Sequence, residues 1–278
     1  MAALRTESVS AYDKRLKRLA QEGHFEECLA HLKKHDDDGI FCILKGACRG
    51  GHYNFVRHLF DERKGWYFGS TLRDAARSGN EELVTLILDH HICGTELSMG
   101  LKGACRRGHR NIVDLLIKRG ANDWDQGLYG ACRGGQLDLA YLMLRKGAKD
   151  VNLGMNGACS GGHEGLGLLM IHHGADQWDR GFNCACAHGH LKLAEWMVAR
   201  GAGNYGKGLS SACGGGHWAV MDYILAEFNL TDRELGFAME HAYVCDQPEI
   251  VQYLAQKGAF SKVLAEKGIL SVSVQLDT

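Results

Sequence analysis

The sequence predicts an all-α solenoid built from helix-turn-helix pairs, and three observations carry that prediction. From Gly108 to Gly216 the chain repeats every 27 residues without an insertion or deletion: GACRRGH (103–109), GACRGGQ (130–136), GACSGGH (157–163), CACAHGH (184–190) and SACGGGH (211–217). Glycine is abundant, 37 of 278 residues, against a single proline, Pro248, so turns recur while helix breakers are almost absent. Within each period a short run of Gly, Ala and Cys is followed by a run of Leu, Ile, Val and Met at helical spacing. A fixed period of this length marks units that bury their apolar faces only by stacking on one another.

Weaker copies of the turn stand at Gly23, Gly51 and Gly79, and a degenerate one ends near Asp246. The array is therefore placed at residues 16–260, about nine units, between an extension at 1–15 and a cap or tail at 261–278. In the extension, Lys14 to Leu19 reads as a helix start. In the tail, Ser261 to Lys267 reads as one more short helix and Ser271 to Leu276 alternates as an edge strand does.

One unit illustrates the elements. Gly127 to Arg133 is a short helix of small residues, ended by Gly134-Gly135, which supply the positive φ of a tight turn. Leu137 to Lys146 is a second helix with Leu139, Ala140, Leu142 and Met143 inside. It closes on Gly147, with Arg145 and Lys146 facing the negative end of the helix dipole. Eleven residues before each turn glycine stand Ile40, Phe68, Leu97, Trp124, Val151, Trp178, Tyr205 and Leu235, expected to form a buried spine joining loop to loop. His24, His52, His109, His163, His190 and His217 follow the turn glycine, a slot that Asn80, Gln136 and Gln247 also fill; these side chains are expected to hydrogen-bond backbone at the start of the second helix.

The run from Leu101 to Ala121 (LKGACRRGHRNIVDLLIKRGA) resembles the ankyrin repeat, with its leucine, small pair, glycine-histidine, I-V-x-x-L-L run and closing G-A. The resemblance implies a non-enzymatic protein-binding scaffold. It also departs from the family's 33-residue unit by six residues, placed where ankyrins project a β-hairpin, and glycines (100, 127, 154, 181 and 208) replace the usual Thr-Pro helix start. Shortened loops without hairpins are therefore expected. Arrays of this divergent kind are similar to those encoded by large DNA viruses, which implies a host cell as the setting.

Composition excludes several function classes. Formal net charge is −1, so bulk charge selects no nucleic-acid or membrane partner, and no run of apolar residues reaches membrane-spanning length. Cys48, Cys105, Cys132, Cys159, Cys186 and Cys213 share one repeat position. Equivalent points on stacked helices lie about 8–10 Å apart, beyond disulfide reach and too far apart to gather four ligands round a zinc ion. They read as small buried residues, reduced, in a cytoplasmic or nuclear protein. No nucleophile, base and orienting acid recur together and no phosphate loop follows a strand, so no catalytic residue, metal or cofactor is expected, and the chain is expected to be a monomer.

The binding residues are sought on the first helices, whose small inner side chains allow close approach and place them on the concave side. Two positions one turn apart read Lys45/Arg49, Arg73/Arg77, Lys102/Arg106 and Tyr129/Arg133, then Asn156/Ser160, Asn183/Ala187 and Ser210/Gly214. Basic residues fill seven of the first eight positions, Arg107 adds to them, and only Asp74 opposes. A groove lined by Lys45, Arg49, Arg73, Arg77, Lys102, Arg106, Tyr129 and Arg133 is thus expected to take a protein partner through an acidic segment, with nucleic acid or a phosphate ligand as the alternative.

Overall fold

The computed structural model describes residues 9–35, 39–62, 71–89, 94–261 and 264. Among them there is no strand: the described chain is helix, turn and short linker throughout. Nine helix pairs follow one another. Five fall in one compact body, Met1–Asp150, and four in a second, Val151–Thr278. No helix is long and apolar enough to cross a membrane among the described residues.

In the first body the pairs are α1 (Val9–Glu22) with α2 (Phe25–Lys34), α3 (Ile40–Gly50) with α4 (Tyr53–Glu62), α5 (Leu72–Ser78) with α6 (Glu81–Leu88), α7 (Gly94–Arg107) with α8 (Arg110–Lys118), and α9 (Trp124–Gly134) with α10 (Leu137–Lys146). In the second they are α11 (Val151–Gly161) with α12 (Glu164–His172), α13 (Trp178–Ala187) with α14 (Leu191–Val198), α15 (Tyr205–Gly215) with α16 (Trp218–Glu227), and α17 (Asp232–Val244) with α18 (Pro248–Gln256). Within each body first helix packs on first helix far more extensively than second on second.

Glycine and carbonyl explain the difference. A Cβ on Gly46 would run into the backbone carbonyl of Lys17, on Gly103 into that of Arg73, on Gly130 into that of Lys102, and on Gly134 into that of Arg106. At these contacts α3 on α1, α7 on α5 and α9 on α7 lie backbone to backbone, a separation that no larger residue permits at those glycines. An earlier glycine in the same helices has a second use. Gly127 faces the thioether of Met143, and Gly181 that of Met197, so the residues standing where ankyrins have Thr-Pro admit a second-helix methionine into their own unit. The six repeat-position cysteines lie fully buried along this contact, with their thiols pushed up to about 12 by burial.

Three expectations are corrected here. The first helices begin earlier than the glycine signal indicates: α9 starts at Trp124 because Asp123 caps it, accepting from the amide of Gln126 at 3.1 Å. Likewise α1 begins at Val9 and runs through Arg15 without a break. The eleven-residue ladder is consequently part of the helices and not of the loops. Ile40, Trp124, Val151, Trp178 and Tyr205 are first residues of their helices; Leu97 and Leu235 lie one turn in; and all but Ile40 are half-buried, so they form no closed spine. Phe68 lies outside the described residues, as do residues 1–8 of the extension and most of the tail, including the span 271–276 read as a strand. Of the proposed tail helix, Ser261 and Leu264 are described; both are buried, and the Ser261 hydroxyl donates to Glu240 at 2.6 Å.

The histidines act elsewhere than expected. His109, His163, His190 and His217 make no side-chain bond to the start of their second helices. Three histidines of this slot reach back one unit instead: Nε2 of His52 lies 2.9 Å from the carbonyl of Gln21, that of His109 3.3 Å from that of Arg77, and that of His217 3.1 Å from that of Ala187. A carbonyl only accepts, so Nε2 carries the proton in each case. The acceptors sit in the last turns of the preceding first helices, where carbonyls have no partner within the helix. Asn80 does both jobs, donating to Gly51 at 3.0 Å and accepting from the amide of Leu83 at 2.9 Å.

The linkers close by a side-chain device that recurs with the period. Oδ1 of Asp125 accepts from the amides of Lys149 and Asp150 at 2.6 and 2.9 Å. Asn152 does the same for Asp176 and Gln177, both at 2.9 Å, and Asp179 for Gly203 and Asn204 at 2.8 and 3.0 Å. One side chain thus replaces a hairpin by holding two amides of the next linker. Asp125→Ala is expected to cost about 1–2 kcal/mol in chemical denaturation, and Asp125→Asn, which keeps the acceptor, less than half of that. In thiol-labelling time courses of the native protein, the half-buried Cys42, Cys184 and Cys245 are expected to react first, with Cys105, Cys132, Cys159, Cys186 and Cys213 protected until unfolding.

Candidate basic face of the first helices

All eight candidate residues lie in the first body, on α3, α5, α7 and α9, and each is half-buried. The glycine contacts fix their backbones: the carbonyls of Arg73, Lys102 and Arg106 are the very ones that the next helix's glycine meets. The side chains beside those carbonyls are consequently drawn into two rows running across the helices.

Crowding of like charge marks the rows. Burial pulls the Arg77 guanidinium down to about 10, helped by Arg49, Arg106 and Arg107 and opposed by Asp74. Lys102 is lowered by burial and by Arg133, Arg73 and Arg106, with Asp123 opposing; Arg106 is lowered by burial, Arg133, Arg107 and Arg49. All stay cationic at neutral pH. The Nε atoms of Arg73 and Arg77 are buried without a hydrogen-bond partner.

Some of the cations are already engaged. Arg49 donates to Oδ1 of Asp74 through Nη2 at 2.6 Å and Nε at 3.0 Å. Lys102 donates to Gln126 at 3.0 Å and sits 4.1 Å above the Tyr129 ring, while Arg133 donates to the Tyr129 hydroxyl at 2.8 Å. Tyr129 is therefore clasped between two cations, a cation–π contact on its face and a hydrogen bond at its edge. Among the described residues no carboxylate pairs with Lys45, Arg73, Arg77 or Arg106.

Two readings of the sequence change. Asp74 does not simply oppose the patch from the surface. It occupies the slot that Gly46, Gly103 and Gly130 fill, is fully buried, and holds Arg49 from inside the contact between α3 and α5. In the second body Asn156 and Ser160 do not point to solvent: they are 4% and 7% exposed, and the Asn156 Oδ1 finds no partner. Asn183, Ala187, Ser210 and Gly214 are half-buried.

Sequence reasoning missed Lys17. It lies on α1, where Arg49, Lys45 and Arg73 join burial in lowering its basicity against the pull of Asp74, so it extends the row by one helix. The signal was present, since Lys17 stands 28 residues before Lys45, but a helix start read at Lys14 hid the register.

This geometry defines the class: an ankyrin-like array of helix-turn-helix pairs, in which stacked first helices present one face of fixed backbone and variable side chain. No protein-family model matches the chain, and no curated protein matches it. Among solved structures it is similar to the human ASB11 ankyrin repeat domain, at 19% sequence identity, covering 78% of this chain and 98% of that chain, with a TM-score of 0.37.

Removing the carboxylate from Asp74 leaves Arg49 half-buried with its partner gone. Asp74→Ala is expected to lose about 2–4 kcal/mol of stability by denaturant titration. A loss below about 0.5 kcal/mol would show that the pair holds nothing together.

Proposed function

We propose that the chain is a non-enzymatic interaction scaffold that captures a protein partner through an acidic segment laid on the basic face of the first body, in the cytoplasm or nucleus. The observation that carries this reading is the crowding: Lys45, Arg73, Arg77, Lys102 and Arg106 stand on one face of α3, α5 and α7 with no carboxylate paired to Lys45, Arg73, Arg77 or Arg106 among the described residues, and burial with neighbouring cations lowers the basicity of Lys17, Arg77, Lys102 and Arg106. A face kept for solvation alone mixes signs, because mixing relieves repulsion. Here like charges are held together by backbone contacts, an arrangement that a ligand carboxylate relieves on binding.

Single exposed ion pairs are worth about 0–1 kcal/mol, so one substitution is expected to do little. The fourfold variant Arg73→Glu, Arg77→Glu, Lys102→Glu, Arg106→Glu is expected to abolish capture of the acidic partner. The matching fourfold Gln variant is expected to weaken it, with both melting close to the parent because the cations removed repel each other. If the Glu variant folds and still captures the same partner at physiological salt, the basic face is not the site. A steep loss of affinity for mixed-sequence DNA or RNA with rising salt would point instead to nucleic acid.

A further inference from the structure

The basic face has a period of its own, and that period selects the shape of the ligand. Along α3, α5, α7 and α9 each helix contributes a cation at the same register: Arg49, Arg77, Arg106 and Arg133, with Lys45, Arg73 and Lys102 one turn back. Stacked helices stand about 8–10 Å apart, and glycine-to-carbonyl contact fixes the step from α5 to α7 and from α7 to α9. Four rungs therefore span about 24–30 Å.

Ligand backbones differ in how often they present a charge. A polyproline-II segment rises about 3.1 Å per residue with three residues per turn, so every third side chain returns to the same side after about 9.3 Å. A β-strand returns every second residue, after about 6.6–6.8 Å. An α-helix returns every turn, after about 5.4 Å. One strand of a nucleic-acid duplex advances about 3.4 Å per phosphate. The three-residue repeat of an extended segment keeps step with the helices over four rungs, since nine residues of it cover about 28 Å.

We infer that the face binds an extended, polyproline-II-like acidic segment of about ten residues carrying a carboxylate at every third position, running across α3, α5, α7 and α9. This rests on the proposed function and specifies its partner. Carboxylates match the guanidinium forks of Arg73, Arg77 and Arg106, none of which is paired with a carboxylate among the described residues. A single phosphorylated side chain fills one rung and leaves the others crowded. The Lys102–Tyr129–Arg133 clasp closes the row at α9, where an aromatic face meets the end of the segment.

The test uses the full chain and three synthetic ten-residue peptides of identical composition, each with four Glu: one with Glu at every third position, one at every second, one in a block. Fluorescence anisotropy at physiological ionic strength is expected to give the period-three peptide a Kd about tenfold lower than the other two, and to lose all three in the fourfold Glu variant. If the peptides bind alike to within about twofold, and the variant still loses them, the spacing inference fails while the acidic-segment reading stands. If none binds, both fail. Mixed-sequence single-stranded DNA of equal charge binding more tightly than the period-three peptide overturns the inference in favour of a nucleic-acid ligand.

Discussion

The fold turns on a contact with no side chain in it: a glycine Cα of one first helix resting on a carbonyl of the helix before. Gly46 on Lys17, Gly103 on Arg73 and Gly130 on Lys102 bring backbones so close that alanine and cysteine suffice to fill the remaining space. Packing by glycine alone buries little apolar area per residue, and the deficit falls to the second helices, where Leu116, Met143, Met197 and Ile224 are fully buried. The two helices of a pair thus divide the work. The first sets the spacing, and the second supplies the hydrophobic stabilisation.

Every polar device described here keeps that spacing from one pair to the next. The histidines satisfy a last-turn carbonyl of the preceding first helix, and the side-chain Oδ1 atoms of Asp125, Asn152 and Asp179 accept from the amides of the following linker. Within each body these bonds run from one pair to the backbone of another, and so do not depend on the neighbour's side chains. The side chains of the first-helix face are consequently free to vary, which is how one body carries cations and the other carries Asn, Ser and Ala at matching positions on the same frame.

Most of this was legible because the repeat multiplies every signal. The class, the helix-turn-helix pairs, the closing glycines and the buried cysteines each recur five or more times, and recurrence separates them from chance. What escaped has a common cause: the partner is one unit away. The spacing from His109 to Arg77 is 32 residues, beyond any local capping rule, so a polar residue before a helix was assigned to that helix. Asp74 is not legible as a buried residue because a charge normally marks a surface position, whereas here it sits in a glycine slot and meets Arg49 from the neighbouring helix. Register alone locates Asn156 and Ser160 on a helix face but not the depth of what lies against them.

The degenerate turn near the end of the array shows how much latitude the joint allows. Asp246 takes φ +60, the left-handed conformation that glycine holds in the other turns, and Gln247 behind it stands where histidine stands elsewhere. The joint is defined by backbone shape and one outward-reaching donor, not by a fixed residue set. A block of one whole period, such as residues 163–189, begins and ends at chemically equivalent joints. Gaining or losing such a block leaves every seam intact, whereas gaining or losing a single residue breaks the two beside it. An array of this construction lengthens and shortens by whole cassettes, and the extent of its first-helix row is inherited in steps of one rung.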